Sequence, residues 1–414
     1  MTSATTTLSW QGRGLTLDTR AQVEELLAGI DASSIQEVHL GGNTLGVEAC
    51  AALAQFLSKA TAIKVRGLYI CCSSYSEYMA QVADFADIFT RRLITEIPQS
   101  LSSLCDALID KQHLLEVNLS DNAFGGRSVE PIVPLLSTNT HIQIFRLNNN
   151  GLGPAGGSVI AEALTAAAGK GSKLKVLICG RNRLENGSSA SWKAAFEALG
   201  SLEEVRMPQN GIWMDGVTNL VAGLRTNKGL KVVDLQDNTF THEGDPTGVD
   251  AWAEALTEWP ELHTLNLSDC VLSAEGEVPS LVQKLVEGSN PKLQTLSLQN
   301  NNLDEKTFEL LKDGLETGLK AVRRLELQWN EQEEDDEHLV EMKQKLKSRG
   351  GKLFATDEDE EEDEDEEEKE EAEEEKEQPI PQSAIDRAKE LPAVKAAAKD
   401  AADELADLMA KVGI

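Results

Sequence analysis

Leu114-Leu-Glu-Val-Asn-Leu-Ser-Asp-Asn-Ala-Phe124 decides the fold. Apolar side chains stand at 114, 117, 119 and 124, with an asparagine at 122. In an extended chain successive side chains point to opposite faces, so Val117 and Leu119 share one face and their polar neighbours the other. Asn122 suits the tight bend that ends such a strand, because its amide can satisfy backbone groups the strand leaves unpaired. The stretch reads as a short strand with one buried side and an asparagine turn.

The same template, L-x-x-L-x-L-x-x-N-x-L, recurs on both sides of it. It opens with Ile35, Val38, Leu40, Asn43 and Leu45, and closes with Val322, Leu325, Leu327 and Asn330. The bend position falls at 43, 122, 150, 182, 210, 238, 270, 301 and 330, with Cys270 as the one substitute for asparagine. From 122 onward the spacing is 28 to 32 residues, room for a full helix between strands. Stretches 47–59 and 161–168 read as such helices. One strand-turn-helix unit cannot bury its apolar side alone, whereas stacked units share a continuous core. The chain is therefore expected to be an α/β leucine-rich-repeat solenoid over residues 1–350, with parallel strands on the concave face and helices on the convex face.

One interval breaks the rhythm. Asn43 and Asn122 lie 79 residues apart, and Arg66 to Val82 holds all three tyrosines of the chain. Removing residues 66–82 leaves two units of ordinary length and joins Val65 to Ala83-Asp-Phe-Ala-Asp87, with Ile88 at the bend position. Residues 66–82 are read as an insertion that interrupts a strand. A retained intron would account for it, since Val65 and Gln81 are encodable with the usual GT and AG borders. An ordinary surface loop is the other account.

The net charge of −31 is unevenly spread: Asp357 to Glu377 carries eighteen acidic residues and two lysines. Such a block repels itself and buries no apolar surface, so 351–380 is expected to be disordered. Beyond it, 381–414 is expected to be helical in part, with Leu405, Leu408, Met409 and Val412 on one face. An acidic surplus argues against binding nucleic-acid phosphates. The six cysteines show no metal-ligand spacing, and Cys179 and Cys270 fall at repeat positions where cysteine serves as a small hydrophobe. Gly169-Lys-Gly-Ser172 lacks the leading glycine of a phosphate loop, and no H-E-x-x-H occurs. Met1 to Ser9 is polar, and no run approaches the roughly 20 apolar residues of a membrane helix. A scaffold without an active site of its own is expected, soluble and intracellular.

Phe89-Thr-Arg-Arg-Leu-Ile-Thr-Glu-Ile-Pro98 resembles a segment of the Ran GTPase-activating proteins, and Asn149-Asn-Gly-Leu-Gly-Pro154 and Cys179-Gly-Arg-Asn-Arg-Leu-Glu-Asn-Gly-Ser188 look like the same family. The order of repeats, acidic run and short C-terminal segment resembles its fungal members. The resemblance implies an activator of GTP hydrolysis by Ran that inserts no arginine and instead braces Ran's own glutamine, which orients the attacking water. It implies Ran bound to GTP as partner, with a Ran-binding protein as a further candidate in a ternary complex. It also implies GTP and magnesium held by Ran, no cofactor of its own, and a monomer in the cytoplasm or at the nuclear periphery, supporting nucleocytoplasmic transport.

Residue by residue, the resemblance assigns Asn149 to the contact with Ran's glutamine and Arg92 to the arginine on which activity depends. Arg91, Glu96, Asp121, Asn122 and Asn150 are expected around them as partner contacts. Arg91 stands where the family has glycine. Plain readings stand beside these: a bend asparagine for Asn149 and Asn122, a solvated surface arginine for Arg92. Two rivals remain, a non-catalytic acidic leucine-rich-repeat binder and a horseshoe that blocks an enzyme through its concave face.

Overall fold

The computed structural model describes residues 6–60, 82–274, 276–330, 336–356 and 359. Its strands are short: β1 Thr7–Ser9, β2 Thr16–Leu17, β3 Glu37–His39, β4 Thr44–Leu45, β5 Val82–Asp84, β6 Glu116–Asn118, β7 Ile144–Arg146, β8 Val176–Ile178, β9 Glu204–Arg206, β10 Val232–Asp234, β11 Thr264–Asn266, β12 Thr295–Ser297, β13 Arg324–Glu326 and β14 Lys352–Phe354. β2 pairs with β4, and the other twelve form one parallel sheet in chain order. Val117 lies opposite Ala83 on one side and Phe145 on the other, so each template position becomes a column running through the stack.

Burial follows those columns. Leu40, Phe85, Leu119, Leu147, Cys179 and Met207 occupy one of them, all essentially inaccessible. Burial pushes the Cys179 thiol up to about 12, which makes it an inert apolar filler, as its template position demands. Trp252, on helix Thr247–Ala255, packs on Trp259 with ring centroids 5.5 Å apart. Helix Val47–Ser58 matches the sequence reading, whereas the helix expected over 161–168 begins eight residues earlier, as Gly153–Ala168. Gly157 lets that helix close on the next repeat, for a Cβ there would lie 2.6 Å from Leu184 Cδ2.

A three-residue strand has little stability alone, and the bend asparagines supply the rest. Asn122 is 2% exposed; its Nδ2 donates to the carbonyls of Phe85 at 2.8 Å and Leu119 at 3.0 Å, while its Oδ1 accepts from Ile88 N at 2.8 Å. Asn150 Oδ1 accepts from Asn122 N, and Asn182 Oδ1 from Asn150 N. Each amide thus ties its own bend to the preceding repeat. The bend satisfies local groups, as expected, and adds a rivet between neighbours.

Three boundaries differ from the sequence reading. The sheet continues to Phe354, past the expected end at 350, and the compact unit ends at Thr356. A further strand, β1, pairs with β3 ahead of the first recognised template. Val82, the last residue of the proposed insertion, belongs to β5 in register with Glu116, and the strand leading to Arg92 is intact. Its place suits a valine from either side, since Val65 and Val82 are interchangeable at the proposed junction. The remainder of the 66–82 insertion, the acidic run and the C-terminal helix lie outside the described residues, Asp359 apart.

Candidate partner-binding edge

Where each strand ends, the chain turns toward the convex side through the same left-handed step. The residue before each bend position has positive φ: Asp87, Asp121, Asn149, Arg181, Gln209, Asp237, Asp269, Asn300 and Trp329 all lie between 46° and 61°. The step is fixed by a backbone ladder, with Asp121 N donating to Asn148 O, Asn149 N to Gly180 O and Arg181 N to Pro208 O, each at 2.9 Å. Such a conformation costs an L-residue about 1–2 kcal/mol, least for asparagine and aspartate. Its result is a row of side chains along one rim of the solenoid.

Asn149 stands in that row, exposed. Its Nδ2 donates to Asp121 Oδ1 at 2.9 Å, which sets the plane of the amide and leaves Oδ1 without a partner among the described residues. Gly151 and Gly153 follow, and a Cβ on either would meet nothing within 4 Å, so the space beside Asn149 is open. Asn149 is therefore no bend asparagine; Asn150 takes that duty.

The structure corrects two expected contact residues. Asn122 and Asn150 are 2% and 0% exposed, their amides committed to backbone groups, so neither reaches a partner. Glu96 is occupied locally: its Oε2 accepts from Leu93 N at 3.4 Å and closes the loop before helix Ile97–Asp106. Arg91 is exposed with φ of 67°, which explains why glycine suits that position.

Arg92 is not a solvated surface arginine. Its side chain is 13% exposed and turned inward, with Nη1 on Asp18 Oδ1 at 2.5 Å and Nη2 3.3 Å from both Leu17 O and Thr44 O. Nε is buried without a partner among the described residues. Gly46 makes room, since a Cβ there would sit 3.2 Å from Nη1. Arg92 clamps the loop after β5 onto the first two repeats, leaving Leu93 and Ile94 exposed at its tip. Asp18 escaped the sequence reading because nothing in the template points to a residue before the first recognised copy.

Arg92 and Asn149 follow β5 and β7, which are separated by β6 alone, so their loops start about 10 Å apart on one edge. The concave face beneath is acidic and cross-linked: Asn118 donates to Asp84 at 2.9 Å, and Arg146 pairs with Glu116 at 2.7 Å. His39 lies between Asp84 and Glu37, at 3.8 and 3.5 Å. The Asp84 carboxylate beside it raises its pKa, against the opposing effect of burial. Among the described residues no group of three or more His, Cys, Asp or Glu is placed to hold a metal ion, and no helix is long and apolar enough to cross a membrane.

Known proteins agree with this architecture. A leucine rich repeat family model matches residues 110–133 and 138–161. Over 347 residues the chain is 35% identical to the Ran GTPase-activating protein 1 of Saccharomyces cerevisiae, an alignment covering 80% of each chain. It is 41% identical over 215 residues to the Ran GTPase-activating protein 1 of Xenopus laevis, covering 50% of this chain and 34% of that one. With the Ran GTPase-activating protein of Drosophila melanogaster it shares 33% over 235 residues, covering 54% and 37%.

Proposed function

Because the chain belongs to the Ran GTPase-activating protein family, we propose that it stimulates GTP hydrolysis by Ran, using the Asn149 amide to hold Ran's catalytic glutamine. The observation that carries this reading is the fixed, outward amide: Asp121 engages Nδ2, and Oδ1 is left to accept an N–H from another amide. A side-chain amide both donates and accepts, so two of them can lock together in one orientation. A glutamine held so places the attacking water for in-line displacement, a step governed by positioning and electrostatics rather than by covalent chemistry.

The inward Arg92 supports a route without an inserted arginine. A guanidinium engaged with Asp18 and two carbonyls would have to abandon all three to reach a nucleotide. Its part is to set the loop that lies beside the glutamine site. GTP and magnesium belong to Ran in this scheme, the activator acts as a monomer in the cytoplasm or near the nuclear envelope, and a Ran-binding protein joins the complex without displacing Asn149.

Single-turnover hydrolysis by Ran·GTP, with the full chain in trace amount, tests it. Strong stimulation is expected, falling about a hundredfold or more for Asn149→Ala. No stimulation by the parent chain rejects the activator; full stimulation by Asn149→Ala rejects the amide mechanism.

A further inference from the structure

Six large apolar side chains are exposed among the described residues, and five of them lie in loops that follow strands of the main sheet. Leu93 and Ile94 belong to the Arg92 loop. The other three follow β9, β11 and β13: Trp213 at 52% exposed, Val271 at 36% and Trp329 at 56%. Trp213 stacks on His242 at 5.4 Å between ring centroids. Trp192, Trp252 and Trp259 are fully buried, so the fold has interior sites for indoles. Val271 and Trp329 are moreover held at φ of 53° and 58°, where bulky and β-branched residues are rare; Gly151 and Gly211 fill Val271's place in other repeats. Exposed aromatic and aliphatic groups set along one edge are the composition of a binding surface.

Charge says what it takes. Residues 207–213, 235–247, 267–279, 298–304 and 327–330, the loops of five successive repeats, contain no lysine or arginine. Carboxylates stand between the apolar groups, among them Asp237, exposed, and Asp269, which accepts from Asn300 Nδ2 at 2.7 Å and Gln236 Nε2 at 3.1 Å. The loop after β8 differs, with Arg181 and Arg183.

We propose that Trp213, Val271 and Trp329 form a strip for an extended, cationic segment of a partner protein. Lysine or arginine stems lie on the indoles and Val271, and their charges face Asp237 and Asp269. A cation over an indole face is attracted by the ring quadrupole, and neighbouring carboxylates add to that attraction. The spacing selects the ligand further. The three loops follow alternate strands, so they leave the sheet about 10 Å apart. A polyproline-type chain advances about 9 Å per three-residue turn and presents the same face each time. The matching segment carries a basic residue at every third position. This strip is separate from Asn149 and stands whether or not the chain activates Ran.

Fluorescence polarisation of a labelled peptide with four Arg-Pro-Pro units, titrated with the full chain, tests the proposal. A peptide of the same composition with its four arginines adjacent is the control, because the acidic run from Asp357 to Glu377 attracts both by charge alone. The spaced peptide is expected to bind more tightly. Trp213→Ala and Trp329→Gly should each weaken it about fivefold, with no effect on the adjacent-arginine peptide. Trp329→Gly relieves the left-handed backbone, so the fold is kept, and thermal unfolding checks this. Asp237→Asn should weaken binding and flatten its salt dependence. Equal affinity for the two peptides, or unchanged binding by both tryptophan variants, overturns the strip and leaves attraction by the acidic run alone.

Discussion

Arg92 and Asp18 meet at 2.5 Å across 74 residues of chain, joining the loop after β5 to the segment that leads into the first helix, Arg20–Leu26. This pair turns the arginine of the edge into an internal brace. Asp18→Asn keeps a weaker acceptor and should lower stimulation of Ran about tenfold, with a stability loss of about 1–2 kcal/mol, modest because Asp18 is more than half exposed. Arg92→Ala should lose most stimulation, and Arg92→Lys should behave like it, since an ammonium cannot span Asp18 and both carbonyls. Single-turnover rates beside thermal unfolding check this; full activity in Arg92→Lys would show that charge alone suffices.

Asn122 and Asn149 offer a contrast in neighbouring repeats. Asn122→Ala removes a buried amide with four backbone partners and should cost about 2–4 kcal/mol of stability. Asn149→Ala loses an exposed bond to Asp121 and asparagine's tolerance of the left-handed step, so it should cost only about 1 kcal/mol while abolishing most stimulation. Matched urea titrations and hydrolysis assays would expose a reversal of these two outcomes.

Arg91 occupies a left-handed position with an exposed side chain. Arg91→Gly should stabilise the chain by about 1 kcal/mol. A lower midpoint in this variant would mean that the guanidinium contributes more than its backbone strain costs.

His39 gives a pH dependence. Its folded pKa is raised above the ordinary 6.5 chiefly by the Asp84 carboxylate, so its contribution is fully present below pH 6.5 and fades as pH rises through the higher folded value. The parent should therefore lose stability relative to His39→Gln between about pH 6 and 8. Parallel melting curves for the two chains would count against the pairing.

Removal of residues 66–82 places Val65 where Val82 stands in β5, so the shortened chain should stimulate Ran as well as the full one. The alternative, a strand broken by the longer chain, requires the shortened chain to be the faster activator in the same assay.

Most of the solenoid was legible because stacking imposes both the apolar columns and the amide bends, and both are written in residue types. The two ends were not: Arg13 and Glu358 stand where an asparagine would have marked β1 and β14. Asn149 stood out because Asn150 already met the needs of the bend. Asn122 and Asn150 were misplaced at the surface for the converse reason, since a repeat residue committed inward looks the same in sequence as one available to a partner. Arg92's inward turn depends on Asp18, and long-range pairing of single charges leaves no periodic trace.

The amide rivets also have a mechanical consequence. Two interior rungs lack one: Ile88 has no side-chain acceptor to offer, and Cys270 presents sulfur, a weak donor to the Leu235 and Ser268 carbonyls at 3.3 Å and a weak acceptor from the Asn238 backbone. Between these joints the turns from Asn122 to Asn238 form one stiff plate, and Asn149 is mounted within it. An arm bent by thermal motion or by a docking load should crease at the joints first, so the Asn149 amide keeps its aim while the ends of the crescent move.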